Sequence, residues 1–442
     1  MMTLRAVTIV MGLLISVPCA AGNDDEILVG NDAALMGGAV TAVVNDGSSV
    51  WYNPAGIAGV AVDTLNVSGS AFILRSHRVP RLLSSASGPS VPGEVLEFVS
   101  VPSALTYVRP LSSTVRIALG VFVTQATDQT LETILELPKV SPELPVPGRV
   151  LLALDYSAQT YHAGLSVGWK VLPKLWVGAS LMASLEQTDG STLYSGGTVD
   201  SSEGSSALFN QSQLYKTTNL GLLVNAGAQW QVTPQLRLGL SVQSQSYAVF
   251  NSFSAPSVRA GVVSTEQLSV FSFGVADSEG SSVGFEAYAP PRVRLGAAYT
   301  GRKLTVVVDG DVRPGNRAGR KTNYNARVGA RYAFSEDIAV GAGAFTDRSP
   351  VRLTDAFGAR DIDFYGATLG LNYVTALALR RKVGADKVTF STTVALRYAY
   401  GRGQIGGLVV PTVADDLTAL RSTPTRLTTH EVGVHLGSSV FF

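Results

Sequence analysis

The sequence feature that most constrains the fold is a strict alternation of apolar with small or polar residues. In the segment 324–334 one set of alternating positions is apolar or aromatic, and the other holds Asn325, Arg327, Gly329 and Arg331. A period of two predicts a β-strand with one apolar face. The segment 304–313 repeats the pattern, with Asp309 and Asp311 on its polar face. Such strands suit either a soluble β-sandwich or a barrel in a membrane.

The composition favours the membrane barrel. Charged residues make up 15% of the chain, whereas about 25% is usual for a soluble protein. No stretch after residue 21 has the ~18 consecutive apolar residues of a membrane helix, and only helices and closed barrels satisfy every backbone group in lipid. Arg327 and Arg331 would each cost about 2–4 kcal/mol if they faced lipid at the midplane, so we expect them to face the lumen.

Alternation and turn residues together predict the number of strands. Fourteen candidates result, at 64–75, 102–109, 114–125, 152–172, 175–189, 213–231, 236–250, 290–300, 303–313, 322–334, 337–346, 361–378, 386–402 and 430–442. Short turns such as 110–113 alternate with long connections such as 126–151, 190–212 and 251–289. Because this pattern and an even count are typical of outer-membrane barrels, the prediction is an all-β fold, a 14-stranded antiparallel transmembrane β-barrel over residues 64–442.

Both ends of the chain suggest a compartment. Residues 1–21 combine Arg5, an apolar run and small residues at 19–21, as in a cleaved signal peptide. The last strand ends on Phe442, which resembles the aromatic strand that the barrel assembly machinery reads in bacterial outer-membrane proteins. Without Arg5 the chain has 34 − 1 = 33 basic and 33 acidic residues, so no basic surface indicates a nucleic acid. We expect a location in the bacterial outer membrane, in contact with its lipid.

Residues 22–63 do not follow the barrel pattern. They are mostly small and uncharged, and a short helix is expected from Asp32 to Val44, capped by Asn31 or Asp32 and ended by residues 45–47. About forty compact residues can plug a large barrel, which would otherwise be an open pore. The segment is therefore expected to form an N-terminal hatch.

Three short motifs in this segment resemble the hatch of the FadL-type outer-membrane transporters of long-chain fatty acids and aromatic hydrocarbons. They are Met36-Gly37-Gly38-Ala39, Asn45-Asp46 and Asn53-Pro54-Ala55-Gly56. The resemblance implies a hatch inside the lumen whose Asn-Pro-Ala region packs near an inward kink in the third strand, where a gap lets substrate leave sideways. Gly120 is our candidate for that irregularity, because glycine in a strand often marks a bulge. Asn-Pro is also an ordinary turn opener, so a purely structural role stays open.

The long connections 190–212 and 251–289 would hold the groove where a ligand first binds. The second contains or adjoins an apolar set, made of Phe250, Phe253, Leu268, Phe271 and Phe273. Exposed apolar clusters commonly mark a binding site, although these residues could equally pack on the barrel rim or extend a strand. The connection 126–151 is expected to form a helical lid. In the lumen a carboxylate could pair with an arginine, the candidates being Arg327, Arg331 and Arg397, unless Asp309 and Asp311 already neutralise them.

The expected function is passive, hatch-gated transport of a hydrophobic small molecule, with lateral exit into the membrane, by a monomer without a cofactor. A FadL-like barrel that anchors other proteins through its loops is the alternative, and a polar porin is a third class. Catalysis is not expected, because the four histidines show no metal-ligand spacing and no nucleophile motif accompanies His162.

Overall fold

The computed structural model describes residue 23 and residues 26–442, except 86–87, 137–147, 201–204, 265–268, 316–319, 355–356, 381–384 and 411–420. The expected signal peptide and Leu268 lie outside the described residues. Among the residues described, no helix is long and apolar enough to cross a membrane.

One antiparallel sheet dominates the fold. Its segments are β1 (Thr64–Ser85), β2 (Ser90–Pro110), β3 (Val115–Glu136), β4 (Arg149–Leu172), β5 (Leu175–Asp200), β6 (Ser205–Gln231), β7 (Leu236–Gln243), β8 (Ser246–Ser254), β9 (Ser257–Ser264), β10 (Ser269–Ala276), β11 (Glu279–Ala289), β12 (Arg292–Thr300), β13 (Leu304–Arg313), β14 (Asn323–Ala333), β15 (Ile338–Asp347), β16 (Arg360–Arg380), β17 (Ala385–Val410) and β18 (Arg421–Phe441). β1 pairs with β2 on one side and with β18 on the other, so the sheet closes into a barrel. Two short α-helices, α1 (Asn31–Leu35) and α2 (Ser49–Tyr52), and a 3₁₀ helix (Pro54–Gly59) precede it.

The described residues form eighteen strand segments instead of the fourteen strands that were predicted. β7, β8 and β9 lie end to end along β6, and β10, β11 and β12 run back along them. The chain leaves the ladder near Pro256 and Pro290, and proline cannot donate a ladder hydrogen bond. The stretch 251–289, expected to be a loop, is therefore mostly strand.

The strands also extend further on the side of the long connections than the alternation predicted. β1 continues to Ser85 instead of residue 75. β3 continues to Glu136 and β4 begins at Arg149, so the helical lid expected over 126–151 is wrong for the described part of that range. Backbone pairing between strands does not depend on an apolar face, so the ladder continues after the alternation ends.

Inward and outward positions follow the predicted alternation. Arg327 is 7% exposed, whereas its neighbour Val328 is 45% exposed. Val307, an apolar residue on an otherwise polar inward face, is fully buried in a cluster with the N-terminal residues. The outward positions carry an exposed band of Val, Leu and aromatic side chains.

The N-terminal segment, residues 26–63, is mostly buried and packs against the strands of the barrel. α1 packs against β15, β16, β17 and β18, whereas α2 and the 3₁₀ helix pack against β3, β4 and β5. Met36 and Ile57 are at most 2% exposed. Gly329 and Gly343 on the wall permit this close packing, because a Cβ atom there would lie 2.5 and 2.3 Å from atoms of Met36.

α1 is shorter than predicted. It covers Asn31–Leu35, and its N-cap is Gly30, with no side-chain cap hydrogen bond. Gly37 and Gly38 then have φ angles of 63° and 81°, the left-handed conformation that ends helices. The expected continuation to Val44 and the expected asparagine or aspartate cap are therefore wrong.

Candidate functional site

The barrel wall has a gap between β2 and β3. These strands pair only from Ala104 opposite Phe122 to Pro110 opposite Arg116. Beyond that point, the earlier part of β2 pairs with β1 and the later part of β3 pairs with β4. We call the separation between 90–103 of β2 and 123–136 of β3 the wall gap.

Irregularities on both strands coincide with the start of the wall gap. Thr124 is an extra residue in β3, because Val123 pairs with Tyr161 and Gln125 already pairs with Thr160. On β2 the register against β1 shifts next to Pro102, which has no N–H to donate. A bulge bends its strand and interrupts pairing, so both strands turn away from each other here.

The N-terminal segment covers the wall gap from inside. The backbone N–H of Ile27 donates to the carbonyl of Thr124 at 3.2 Å. The Ile27 side chain is 3% exposed and packs in an apolar cluster with Val99 and Val123, which lie on the two sides of the gap. Ile27 thus supplies both a backbone partner and an apolar contact where the ladder is missing.

The outer lip of the wall gap is apolar as well. Leu96 and Phe98 on β2 are 72% and 58% exposed. The ring of Phe98 stacks on that of Phe72, with centroids 5.7 Å apart. Among the described residues, the wall gap therefore has an apolar outer lip and is covered on its inner side by Ile27.

A buried group of charges, the charged belt, borders the wall gap; it consists of Glu26, Arg75, Glu97, Arg397 and Glu431. Arg75 Nε donates to Glu431 Oε2 at 2.7 Å, and Arg75 Nη1 donates to Glu97 Oε1 at 2.9 Å. Arg75 Nη2 pairs with Glu26, and Arg397 pairs with Glu431. The belt therefore joins β1, β2, β17 and β18 to the N-terminal segment.

The belt also replaces part of the missing β2–β3 ladder. Glu97 on β2 accepts from the backbone N–H of Asp128 at 2.9 Å and from Gln129 Nε2 at 3.0 Å, both on β3. Arg75 Nη1 donates to the carbonyl of Ala126 at 3.0 Å. Side chains thus satisfy some of the backbone groups that a regular β2–β3 ladder would pair.

Glu26 is the carboxylate with the weakest hydrogen bonding in the belt. It is 4% exposed, and within the described part of the chain neither of its oxygens has a hydrogen-bond partner, although one pairs with the charge of Arg75. Burial raises the pKa of Glu26 to about 7, outweighing the attraction of Arg75, which lowers it.

An apolar cluster fills the barrel interior towards the end with the long connections. It joins side chains from strands around the barrel, including Leu135 of β3, Leu152 of β4, Phe364 of β16 and Leu408 of β17. The rings of Tyr194 and Phe209 adjoin it, with centroids 4.8 Å apart. The lumen therefore passes from this apolar cluster through the charged belt to the N-terminal segment and the wall gap.

The Asn-Pro-Ala-Gly motif packs away from the wall gap. Asn53 is fully buried, and its Nδ2 donates to the carbonyls of Thr41 at 2.8 Å and of Ala228, on β6, at 3.1 Å. Its Oδ1 accepts from Ala55 N at the start of the 3₁₀ helix. Pro54 lies against Gly178 of β5. These contacts fix the segment to β5 and β6, whereas Ile27 is the residue placed at the gap.

The irregularity expected at Gly120 lies elsewhere. Gly120 pairs regularly with Thr106 on β2 and with Gly164 on β4, and the bulge occurs at Thr124. The glycine instead makes room for the Phe122 ring, since a Cβ atom would lie 2.4 Å from its Cζ. The prediction of the strand agrees with the structure, but the predicted position is wrong.

The phenylalanines proposed from the sequence do not line the wall gap. Phe250 and Phe253 are 37% and 44% exposed on β8, and Phe271 and Phe273 are 67% and 63% exposed on β10. The last two rings stack with centroids 6.5 Å apart. They form an exposed apolar surface on the extended hairpin.

The three predicted arginines all have carboxylate partners. Arg327 pairs with Asp311 on the neighbouring strand, and Arg331 lies 3.3 Å from Asp32 of α1. Arg397 belongs to the charged belt through Glu431. Among the described residues, no group of three or more His, Cys, Asp or Glu side chains could hold a metal ion.

The sequence analysis missed the residues at the wall gap itself. The alternation of β1 could have identified Arg75. Phe72 and Leu74 are exposed on the outward face, so the next residue, Arg75, is a charged side chain at an inward position. Glu26 and Ile27 lie in a segment without periodicity, so no pattern marked them.

Comparison with known proteins supports the fold. Neither protein-family profiles nor curated protein sequences match the chain. A Pseudomonas aeruginosa FadL homologue aligns with a TM-score of 0.60 and 13% identity, over 95% of this chain and 100% of that one. The Pseudomonas putida toluene transporter TodX aligns with a TM-score of 0.57 and 13% identity, over 95% of this chain and 99% of that one. The monoaromatic hydrocarbon channel CymD aligns with a TM-score of 0.54 and 13% identity, over 94% of this chain and 97% of that one. The resemblance predicted from the sequence is confirmed at the level of fold: the chain has the closed-barrel fold of FadL-type transporters.

Proposed function

We propose that the protein is an outer-membrane channel that passes hydrophobic small molecules by diffusion and releases them sideways through the wall gap, with the N-terminal segment as its hatch. The observation that carries the proposal is a break in the β2–β3 ladder with apolar residues on both faces, covered from inside by Ile27. A polar porin would need no such exit.

The outer surface supports a place in a lipid bilayer. Exposed Val and Leu side chains form an outward band, and Trp169, Trp230 and Tyr299 are each about half exposed near the short turns. Aromatic residues at these levels suit membrane interfaces. A hydrophobic solute that left through the wall gap would therefore enter lipid directly.

The transport path needs no energy source other than partition. A solute would collect in the outer apolar cluster and pass the charged belt as the hatch moves. It would then leave between β2 and β3, gaining roughly 25 cal/mol per Å² of apolar surface that lipid removes from water. The solved structures of like fold are described as toluene and monoaromatic hydrocarbon transporters and a FadL homologue, which supports aromatic hydrocarbons or long-chain fatty acids as substrates.

Deletion of Thr124 tests the exit. Removing the extra residue of the bulge should straighten β3 and let it pair with β2 beyond Phe122, which closes the wall gap. Uptake of a labelled long-chain fatty acid and of toluene should then fall to background in cells that depend on this protein. Deletion of Val171 is the matched control, since it removes a single residue at the register shift between β4 and β5, away from the wall gap. Equal uptake by both variants, at equal levels of folded barrel, would contradict lateral exit.

The alternative role, a barrel that anchors other proteins, draws on the exposed Phe271 and Phe273 of β10. Replacement of both by serine separates the two roles. Under the transport proposal uptake persists or falls partly, whereas an anchor would lose its partner and show no dependence of uptake on Thr124.

A further inference from the structure

We propose that the outer surface of β17, β18 and β1, on the side of the long connections, binds a phosphorylated lipid of the surrounding membrane. The surface consists of Arg78, Arg402 and Arg426, and we call it the basic rim. The inference goes beyond transport. It requires the proposed place of the barrel in an outer membrane, but neither the wall gap nor any movement of the N-terminal segment.

The three arginines of the basic rim share one outward face of the sheet. Arg78 of β1 and Arg402 of β17 both pair in register with Thr428 of β18, one on each side. Arg426 precedes Thr428 by two positions and so points to the same face. All three arginines are exposed. Because neighbouring strands are about 4.8 Å apart, the Cα atoms of Arg78 and Arg402 lie about 10 Å from each other across β18. Their long side chains can therefore reach one anionic group.

The basic rim lies directly beyond the apolar outward band. On β17 the outward residues Leu396 and Tyr398 are exposed. Tyr400 follows on this face, and its ring lies beside that of His430, with centroids 5.2 Å apart. Arg402 is the next outward residue, about 6–7 Å further along the strand. The head-group layer on one side of a bilayer is about 5–8 Å thick, so the basic rim lies at the level of lipid head groups.

Arg402 and Arg426 are available to an anion. Among the described residues, neither has an ion pair with a carboxylate. Asp363 lies opposite Arg402 in the ladder, but its Oδ1 accepts from a backbone N–H at 2.9 Å. Arg78 pairs with Glu94 at 3.3 Å, and both side chains are mostly exposed. An exposed pair of this kind contributes little, so Arg78 can also turn to a phosphate.

The flank formed by β3, β4 and β5 has the reverse charge. There Ser157 of β4 pairs in register with Asp128 of β3 and Asp189 of β5, just as Thr428 lies between two arginines. Lys216 of β6 pairs with Asp189 at 3.5 Å. The whole chain has 34 basic and 33 acidic residues, so the basic rim is a local feature and not the result of a basic protein.

A phosphate carried by a lipid fits the basic rim better than a free anion. Guanidinium groups bind phosphate through parallel N–H donors, and the several oxygens of one phosphate can accept from Arg402 and Arg426 together. The acyl chains of the same molecule would lie against the exposed side chains of Leu396, Tyr398 and Val432. A free phosphate would gain only the exposed charge contacts, which are weak in water.

Binding of two lipids that differ only in phosphate tests the proposal. Purified protein in a neutral detergent is titrated with lipid A, whose sugar head group carries phosphates, and with the same lipid after dephosphorylation. Divalent cations are left out, because they could bridge phosphate to the acidic flank. Bound lipid is measured by native mass spectrometry. The native protein should bind lipid A about tenfold more tightly than the dephosphorylated lipid, the scale of two exposed charge contacts.

The double variant Arg402→Gln, Arg426→Gln should lose most of this preference. The matched control is Arg302→Gln, Lys303→Gln, which removes the same charge from an exposed short turn at the other end of the barrel and should keep the preference. Both variants change only exposed side chains, so the barrel should fold in each.

Thiol labelling tests where the lipid binds. In a Cys19→Ser background, Thr428→Cys should react more slowly with a maleimide when lipid A is added, and not when the dephosphorylated lipid is added. Ser157→Cys, which lies between two aspartates in the ladder, should react at the same rate with either lipid.

Three results would overturn the inference. They are equal affinity for the two lipids, an equal loss of preference in the control variant, and slowing of the Thr428→Cys reaction by inorganic phosphate to the same extent as by lipid A. None of them depends on uptake or on Thr124, so this inference and the proposed function can fail separately.

Discussion

Substitution of Ile27 by alanine is expected to open the wall gap and speed release of substrate. Ile27 is 3% exposed and belongs to the apolar cluster that bridges β2 and β3. Truncation of a buried isoleucine to alanine costs about 2–5 kcal/mol. The contact exists only while the N-terminal segment covers the wall gap, so its loss destabilises that closed state and not the open one. A loss of even about 2 kcal/mol raises the fraction of molecules with an open wall gap roughly 30-fold.

The initial rate of uptake of a labelled fatty acid reports the open fraction until another step becomes limiting. Ile27→Val gives an internal scale, since that change typically costs about 0.5–1.5 kcal/mol and should raise the rate roughly two- to tenfold. At equal amounts of folded barrel, the initial rate of uptake should be highest for Ile27→Ala, lower for Ile27→Val and lowest for the native protein.

Ile57→Ala is the matched control for this series. Ile57 is fully buried in the same N-terminal segment, but it packs against Gly168 of β4 and in a core cluster that does not include the residues of the wall gap. It should lower the stability of the barrel without a selective rise in uptake. The reasoning fails if Ile27→Ala leaves uptake unchanged, or if Ile57→Ala raises it equally.

Three further predictions follow from the contacts of the N-terminal segment. Burial raises the pKa of Glu26 from 4.5 to about 7, so seating of the segment should be strongest below pH 4.5 and should weaken as the pH rises to about 7. The rate of maleimide labelling of Ile27→Cys, divided by the rate for a small free thiol at the same pH, should therefore rise over this range, and addition of Glu26→Gln should flatten that ratio. A short disulfide cross-link between Ile27→Cys and Val123→Cys, in a Cys19→Ser background, should stop uptake, and a reductant should restore it. Uptake that continues while the cross-link is intact would show that Ile27 does not close the wall gap. Asn53→Ala should lower the temperature of barrel unfolding, read from electrophoretic mobility after heating, since it removes the hydrogen bonds from the Asn53 amide to the carbonyls of Thr41 and Ala228, each worth about 0.5–1.5 kcal/mol. An unchanged midpoint would show that this residue does not hold the segment.

The parts of the fold that the sequence predicted well are those that repeat locally. Arg327 and Val328 face opposite sides of the wall because neighbouring side chains in a strand point to opposite faces. The expected lid at 126–151 failed because Leu131 and Leu135 are four residues apart, an even spacing that a helix and a strand satisfy equally; both are buried on one face of β3.

The candidate site was harder to predict because its contacts are not local. Arg75 reaches partners 22 and 356 positions away along the chain, and no local pattern encodes such distances. The bulge lies at Thr124, next to the end of the pairing with β2. A glycine often marks a bulge, but Gly120 instead makes room for the ring of Phe122.

The close fit of Met36 against Gly329 and Gly343 has a consequence for permeability. A hatch that left the barrel as a rigid body would have to break all of those contacts, together with the hydrogen bonds of Asn53 to Thr41 and β6. Local withdrawal of the chain around Ile27 would break few of them, and the cross-section of the barrel would stay filled. Oily solutes could then cross a wall that still excludes ions, dyes and hydrophilic antibiotics, and electrical recordings in planar bilayers should show almost no conductance even during rapid uptake.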